Sequence, residues 1–143
     1  MSNAKTYFMA EDFDYRLPDP GFYTAGIKSA RFRQSANKNR MLQIVHALET
    51  VDPAYQLVCD YFVLEGEGVT PLGIFLARRR LLHLYHACGI FPKEGDEIAP
   101  AQLYGCRLQV RVEHEQWQGR RQLRVVDYRP LEKLPDSDEQ IPF

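Results

Sequence analysis

Residues 70–89 read TPLGIFLARRRLLHLYHACG, the one stretch of the chain with a clear helical period. Thr70 suits an N-cap, and Pro71 suits the first helical position, where a missing N–H costs nothing. Ile74, Ala77, Leu81, Leu84 and Cys88 fall on one stripe at helical spacing, with Leu82 and Tyr85 beside it. Gly89 is a natural left-handed stop, and Pro92 prevents the helix from resuming. Arg78, Arg79 and Arg80 point about 100° apart on such a helix, so at most two of them face one partner. A solvated face is the first reading of that run and phosphate contact the second.

The sequence on either side of this helix is strand-like. Gly21 to Arg33 alternates through Tyr23, Ala25 and Ile27, with Gly26 placed for a bend or bulge. A polar connection, Gln34 to Asn39, leads into a second strand from Arg40 to Val51, where Leu42, Ile44, His46 and Leu48 share one face. Asp52-Pro53 marks a turn. Tyr55 to Leu64 is a third strand, with Tyr55, Leu57, Cys59, Tyr61 and Val63 on one face and Val58 and Phe62 on the other. After the helix, Phe91 to Gln102 reads as a loop. Tyr104 to Glu115 alternates strictly, Cys106, Leu108, Val110 and Val112 against Arg107, Gln109, Arg111 and Glu113. A turn at Gln116 to Gly119 returns the chain as a fifth strand, Arg120 to Arg129.

Three strands, a helix and two strands, with hairpins joining the first two and the last two, predict an all-β fold with small helical content. The specific expectation is a five-stranded OB-fold Greek-key barrel with the helix between strands three and four. A split sandwich or an open sheet covered by the helix is the alternative. The expected domain runs over 21–131. It follows an N-terminal arm (1–20) that begins with a Met1-Ser2-Asn3-Ala4 cloning remnant, and it precedes an acidic, disordered tail (132–143).

Length and composition fit one soluble domain. The chain has 143 residues, 45% of them apolar, and no apolar run of the ~18 residues a membrane span needs. The three cysteines, Cys59, Cys88 and Cys106, form no C-x-x-C pair, and each sits in an apolar pattern. They read as reduced core thiols in a cytoplasmic protein. The net charge of −1 conceals an uneven distribution. Residues 1–20 sum to −2 and 132–143 to −3, which leaves the body at +4.

That positive charge gathers at the hairpin tips. Arg31, Arg33, Lys38 and Arg40 occur with no acidic residue among positions 31–40. The second tip carries Trp117, followed by Arg120 and Arg121. A solubilising loop would account for the first cluster, and a ring folded back onto the barrel for the second. In an OB-fold, however, these two loops flank the binding surface on strands two and three. Cations that track phosphates and rings that stack bases are what a single-stranded nucleic acid needs. Arg31, Arg33, Lys38, Arg40, Arg111, Arg120 and Arg121 are the candidate phosphate contacts. Trp117, with Tyr55 or Phe62, is the candidate stacking platform. Tyr61, in phase with Leu57 and Cys59, is either a third such ring or core.

The last ten residues, LPDSDEQIPF, are acidic with a small apolar tip. By composition they form a tail able to act as a peptide ligand. This ending resembles the bacterial single-stranded DNA-binding proteins, whose chains close on an acidic run followed by Ile-Pro-Phe. The body, with Gly21-Phe22-Tyr23 opening strand one and the Arg-rich helix ending Cys88-Gly89-Ile90, is similar in element order to small phage-associated OB-fold proteins of the same role. The resemblance implies single-stranded DNA as ligand. It also implies recruitment of replication, recombination and repair proteins through Asp136, Asp138, Glu139, Ile141, Pro142 and Phe143, with no cofactor and no membrane partner. It leads us to expect the tail to compete with DNA for the basic groove. The helix and the arm both offer apolar surface for a homo-oligomeric contact.

Two rival readings come from the residues themselves. His83 and His86, at i and i+3 and grouped with Asp60 or Glu94, could begin a metal site, but no third ligand has convincing spacing. No Gly-rich phosphate loop, nucleophile elbow or paired-carboxylate motif accompanies them, so an enzyme is not expected. The other rival is an OB-fold module that binds RNA or protein.

Overall fold

The computed structural model describes residues 4–9, 17–49, 51 and 56–131, with the backbone alone for Trp117 and Arg120. Its elements run β1 (Gly21–Gln34), β2 (Arg40–Leu48), β3 (Leu57–Glu65), α1 (Pro71–Ala87), a 3-10 turn (Pro100–Leu103), β4 (Arg107–Trp117) and β5 (Arg120–Arg129). The five strands form one sheet in the order β3-β2-β1-β4-β5, and every neighbouring pair is antiparallel. The β-rich architecture and the helix between the third and fourth strands are as the sequence predicts.

β1 is shared between two halves of the sheet. Its later part, Ala25 to Gln34, pairs with β2, and its start, Gly21 to Gly26, pairs with β4. The register shifts between Ile27 and Ser29, one step beyond the glycine expected to bend the strand. Such a bulge adds local twist and lets one long strand serve two directions.

The helix begins and ends as its sequence dictates. The Thr70 hydroxyl accepts from Gly73 N–H at 3.0 Å. At the other end Gly89 is left-handed (φ 79°). Its N–H donates to the His86 carbonyl, and Ile90 N–H donates to the Tyr85 carbonyl, the paired bonds of a Schellman stop.

β2 ends at Leu48 rather than Val51, and both ends of β4 moved. The end of the expected loop, with Leu103 beyond it, winds into the 3-10 turn, which buries Leu103, so β4 starts at Arg107 rather than at Tyr104. β4 continues through Trp117 because the reversal needs only two residues. Gln118 (φ 51°) and Gly119 (φ 76°) are both left-handed, as a two-residue primed turn requires.

The core follows from strand alternation. Ala25, Ile27 and Ala30 from β1 meet Leu42, Ile44 and Leu48 from β2, Phe62 and Leu64 from β3, and Leu108, Val110 and Val112 from β4. Leu81, Leu84 and Tyr85 of α1 pack against this layer. His46 sits among these side chains, fully buried, and neither ring nitrogen has a partner. Burial lowers its pKa to about 4, although the nearby Asp60 carboxylate pulls the other way.

The sheet's two edges, β3 and β5, are not paired by backbone hydrogen bonds. They nevertheless face each other, and α1 packs against both. The Tyr128 hydroxyl on β5 donates to the Asp60 carboxylate on β3. Arg80 of α1 donates to both Asp60 oxygens (3.1 and 3.2 Å) and to Tyr128 Oη (3.1 Å). Burial disfavours the Arg80 charge, but Tyr128 and Asp60 outweigh it and raise the pKa. Burial and the Asp60 charge push the Tyr128 phenol up in turn. The middle arginine run therefore divides its labour, with Arg80 turned inward and Arg79 outward. No described helix is long and apolar enough to cross a membrane.

Candidate nucleic-acid interface

The outward face of β1, β2 and β3 carries a polar ladder. Arg31 lies opposite Gln43, and Gln43 lies opposite Tyr61 in register. Arg33 Nη1 donates to Gln43 Oε1 at 2.9 Å, and Gln43 Nε2 donates to Tyr61 Oη at 3.2 Å. Gln43 is itself buried by this arrangement, so its amide fixes a guanidinium on one side and a phenol on the other. Tyr61 keeps 47% of its surface in water. Cys59 and Leu57, at alternate positions of the same strand, are exposed beside it. The result is a held cation next to a held, open ring.

At the β5 side this face runs into a cleft of about 600 Å³ between β3 and β5. Cys59 and Tyr61 line one wall, Arg121 and Arg124 the other, with Asp60 and Arg80 also contributing. Asp60 is already bonded to Arg80, and Arg124 stands 4.0 Å from Glu115. The cleft is therefore polar, with cations in excess at its rim.

The predicted site residues divide between places. Arg31, Arg33, Lys38 and Arg40 are all exposed on or near the first hairpin, with Lys38 left-handed at the tip (φ 63°). The Arg40 guanidinium lies 4.0 Å above the Phe32 ring, which orients it but leaves it in water. Arg121 is exposed at the cleft. The two hairpin tips occupy opposite ends of β3, since Arg40 pairs with Glu65 while Arg121 shares the cleft with Leu57. The outward side chains of β3 connect them. Arg111 belongs to neither tip; it lies on β4 in an ion pair with Glu113 at 3.0 Å.

Phe62 requires a correction. It is fully buried, with Arg80 4.7 Å from its ring centroid and Tyr128 beside it, so it offers no face to a base. The open ring of β3 is Tyr61. Cys59, expected in the core, is likewise on the surface, whereas Cys88 and Cys106 are half-buried; all three are free thiols. Tyr55 and the tail residues Asp136, Asp138, Glu139, Ile141, Pro142 and Phe143 lie outside the described residues, as do the side chains of Trp117 and Arg120. The backbones of Trp117 and Arg120 pair directly across the turn.

The sequence reading missed Gln43, Arg124 and Arg80, and left Tyr61 undecided. Both faces of β3 are apolar enough to be core, and Asp60 on the Val58–Phe62 face points away from the correct answer. The signal that would have resolved the parity is Arg80, a half-buried partner twenty residues further on.

The histidines considered as ligands are engaged elsewhere. His83 Nε2 contacts Asp127 Oδ1 at 3.2 Å, and the His86 ring lies 5.1 Å from that of Phe91. Among the described residues no group of three or more His, Cys, Asp or Glu side chains could hold a metal ion. No family model matches this chain, and no curated protein sequence matches it either.

Proposed function

We propose that this protein is a non-enzymatic, largely sequence-independent binder of single-stranded DNA, built on an OB-type barrel. The barrel reading is supported by the strand order, by β1 serving both halves of the sheet, by the helix between β3 and β4, and by the approach of β3 to β5 through Asp60 and Tyr128. Side chains rather than a backbone ladder join these edges, which leaves the cleft between them open.

The observation that carries the function is the Arg33–Gln43–Tyr61 ladder on the open β2–β3 face. It links a cation on β1 to a ring on β3 through the Gln43 amide on β2, and cationic hairpins lie at either end. Arg31, Arg33, Lys38 and Arg40 would neutralise phosphates at one end, and Arg120, Arg121 and Arg124 at the other. Tyr61 and Trp117 would stack bases, a contact that every base can make and that therefore reads no sequence. The acidic tail ending Ile141-Pro142-Phe143 would hand the coated strand to replication, recombination and repair proteins.

A titration at several salt concentrations with poly-dT, poly-U and duplex DNA tests this reading. If about four phosphates are neutralised, log affinity falls against log salt with a slope near −3, at about −0.7 for each phosphate. Binding should favour poly-dT over duplex. Salt-independent affinity, or a preference for duplex, would overturn it.

A further inference from the structure

Among the described residues nothing covers the outward side of α1, and its residues are ordered by type. Leu72, Phe75 and Leu76 occupy the N-terminal half of that side, each more than half exposed. Arg79, His83 and His86 continue the same stripe toward the C-terminal end, at i+7, i+11 and i+14 from Leu72. Arg79 lies 5.5 Å above the Phe75 ring, at the junction of the two halves. The helix contains no acidic residue. A second copy of the helix is therefore a poor partner, since it would bring arginine against arginine.

The chain's own tail has the complementary order. Asp136, Asp138 and Glu139 come first, then Ile141 and Phe143, with no basic residue after Lys133. Its root is also in the right place. β5 reaches α1 where Asp127 contacts His83 and Tyr128 contacts Arg80, only a few residues before Leu131. Twelve residues extend up to about 40 Å, and the whole of α1 is about 26 Å long.

We propose that the tail docks along the outward face of α1 in its own molecule, running toward the helix N-terminus. Its carboxylates lie against Arg79, the arginine of that stripe, and Ile141 and Phe143 cover Phe75, Leu76 and Leu72. This places the resting tail on the helix, away from the β2–β3 face, so the tail is withheld from other proteins without occupying the groove. The docking stands apart from nucleic-acid binding, because it is measured with no nucleic acid present.

Hydroxyl-radical footprinting of the full chain reads side-chain exposure directly. Wild type is compared with a full-length Ile141→Ser/Phe143→Ser variant and with Arg79→Glu, all exposed or tail positions outside the core. Phe75 and Leu76 should oxidise several-fold faster in both variants, with Leu57 and Tyr61 unchanged. Adding Asp138→Lys to Arg79→Glu should restore protection. Equal oxidation of Phe75 in wild type and the tail variant would overturn the proposal. So would a change confined to Tyr61, which would put the tail in the groove, or protection that grows with protein concentration, which would assign the tail to a second molecule.

Discussion

His46 shows what a single residue contributes to stability here. It occupies an inward position of β2 with no hydrogen-bond partner for either nitrogen, so the folded protein holds it neutral. Its pKa falls from the ordinary 6.5 to about 4 on folding. Below 6.5 the unfolded chain takes up a proton that the folded one refuses. Stability is therefore full above about pH 6.5 and declines as the pH falls toward 4, by roughly 3 kcal/mol in total from this one ring. Urea titrations between pH 4 and 8 should show that slope in wild type and a flatter one in His46→Leu. A slope unchanged by the substitution would assign the acid sensitivity to other groups. Tyr61 is the residue whose function is most open to test. Tyr61→Ala should weaken oligo-dT binding by ~1–3 kcal/mol, the usual range for one stacked base. Tyr61→Phe should lose much less, because it keeps the ring and gives up only the bond from Gln43. Fluorescence anisotropy with labelled oligo-dT would distinguish the two.

The elements differ in how openly the sequence announces them. α1 was legible almost to the residue, because Thr70, Pro71 and Gly89 act through local geometry that no distant contact overrides. Replacing Thr70 by Ala removes the hydroxyl that accepts from Gly73 and should lower stability by ~1 kcal/mol. Thermal unfolding would record a lower Tm, and a Thr70→Asp variant should largely recover it. An unchanged Tm in Thr70→Ala would mean that this first turn frays in the folded protein. The inward face of β4 was equally plain, since its alternation of apolar and charged residues leaves one possibility, although both ends of the strand moved. β3 was not. Its two faces have similar hydropathy, and Asp60 by pattern marks the wet one, whereas in the fold Arg80 and Tyr128 neutralise and bind it. Parity in such a strand is set by a tertiary partner, which local pattern cannot report. The same ambiguity placed Phe62 among the stacking rings and left Tyr61 undecided, whereas the structure buries Phe62 and exposes Tyr61.

At the scale of the whole molecule, the curl of the sheet decides what the surface can do. β3 and β5 come together at Asp60 and Tyr128 but remain apart along the cleft lined by Tyr61 and Arg121. The order of elements, readable from the sequence, predicts a closed barrel, whereas the sheet leaves its edge strands β3 and β5 unpaired along the backbone. The placing of the two cationic tips did not follow from it, for they stand at opposite ends of β3 with an exposed strand face between them. On the proposed path a bound strand crosses Cys59, the one exposed cysteine among the described residues. The rate at which a maleimide reagent modifies Cys59, with and without saturating oligo-dT at low salt, is the most direct test of the interface. The account predicts that DNA slows this reaction several-fold and that high salt restores it. A bound oligonucleotide that leaves the Cys59 rate unchanged would contradict it.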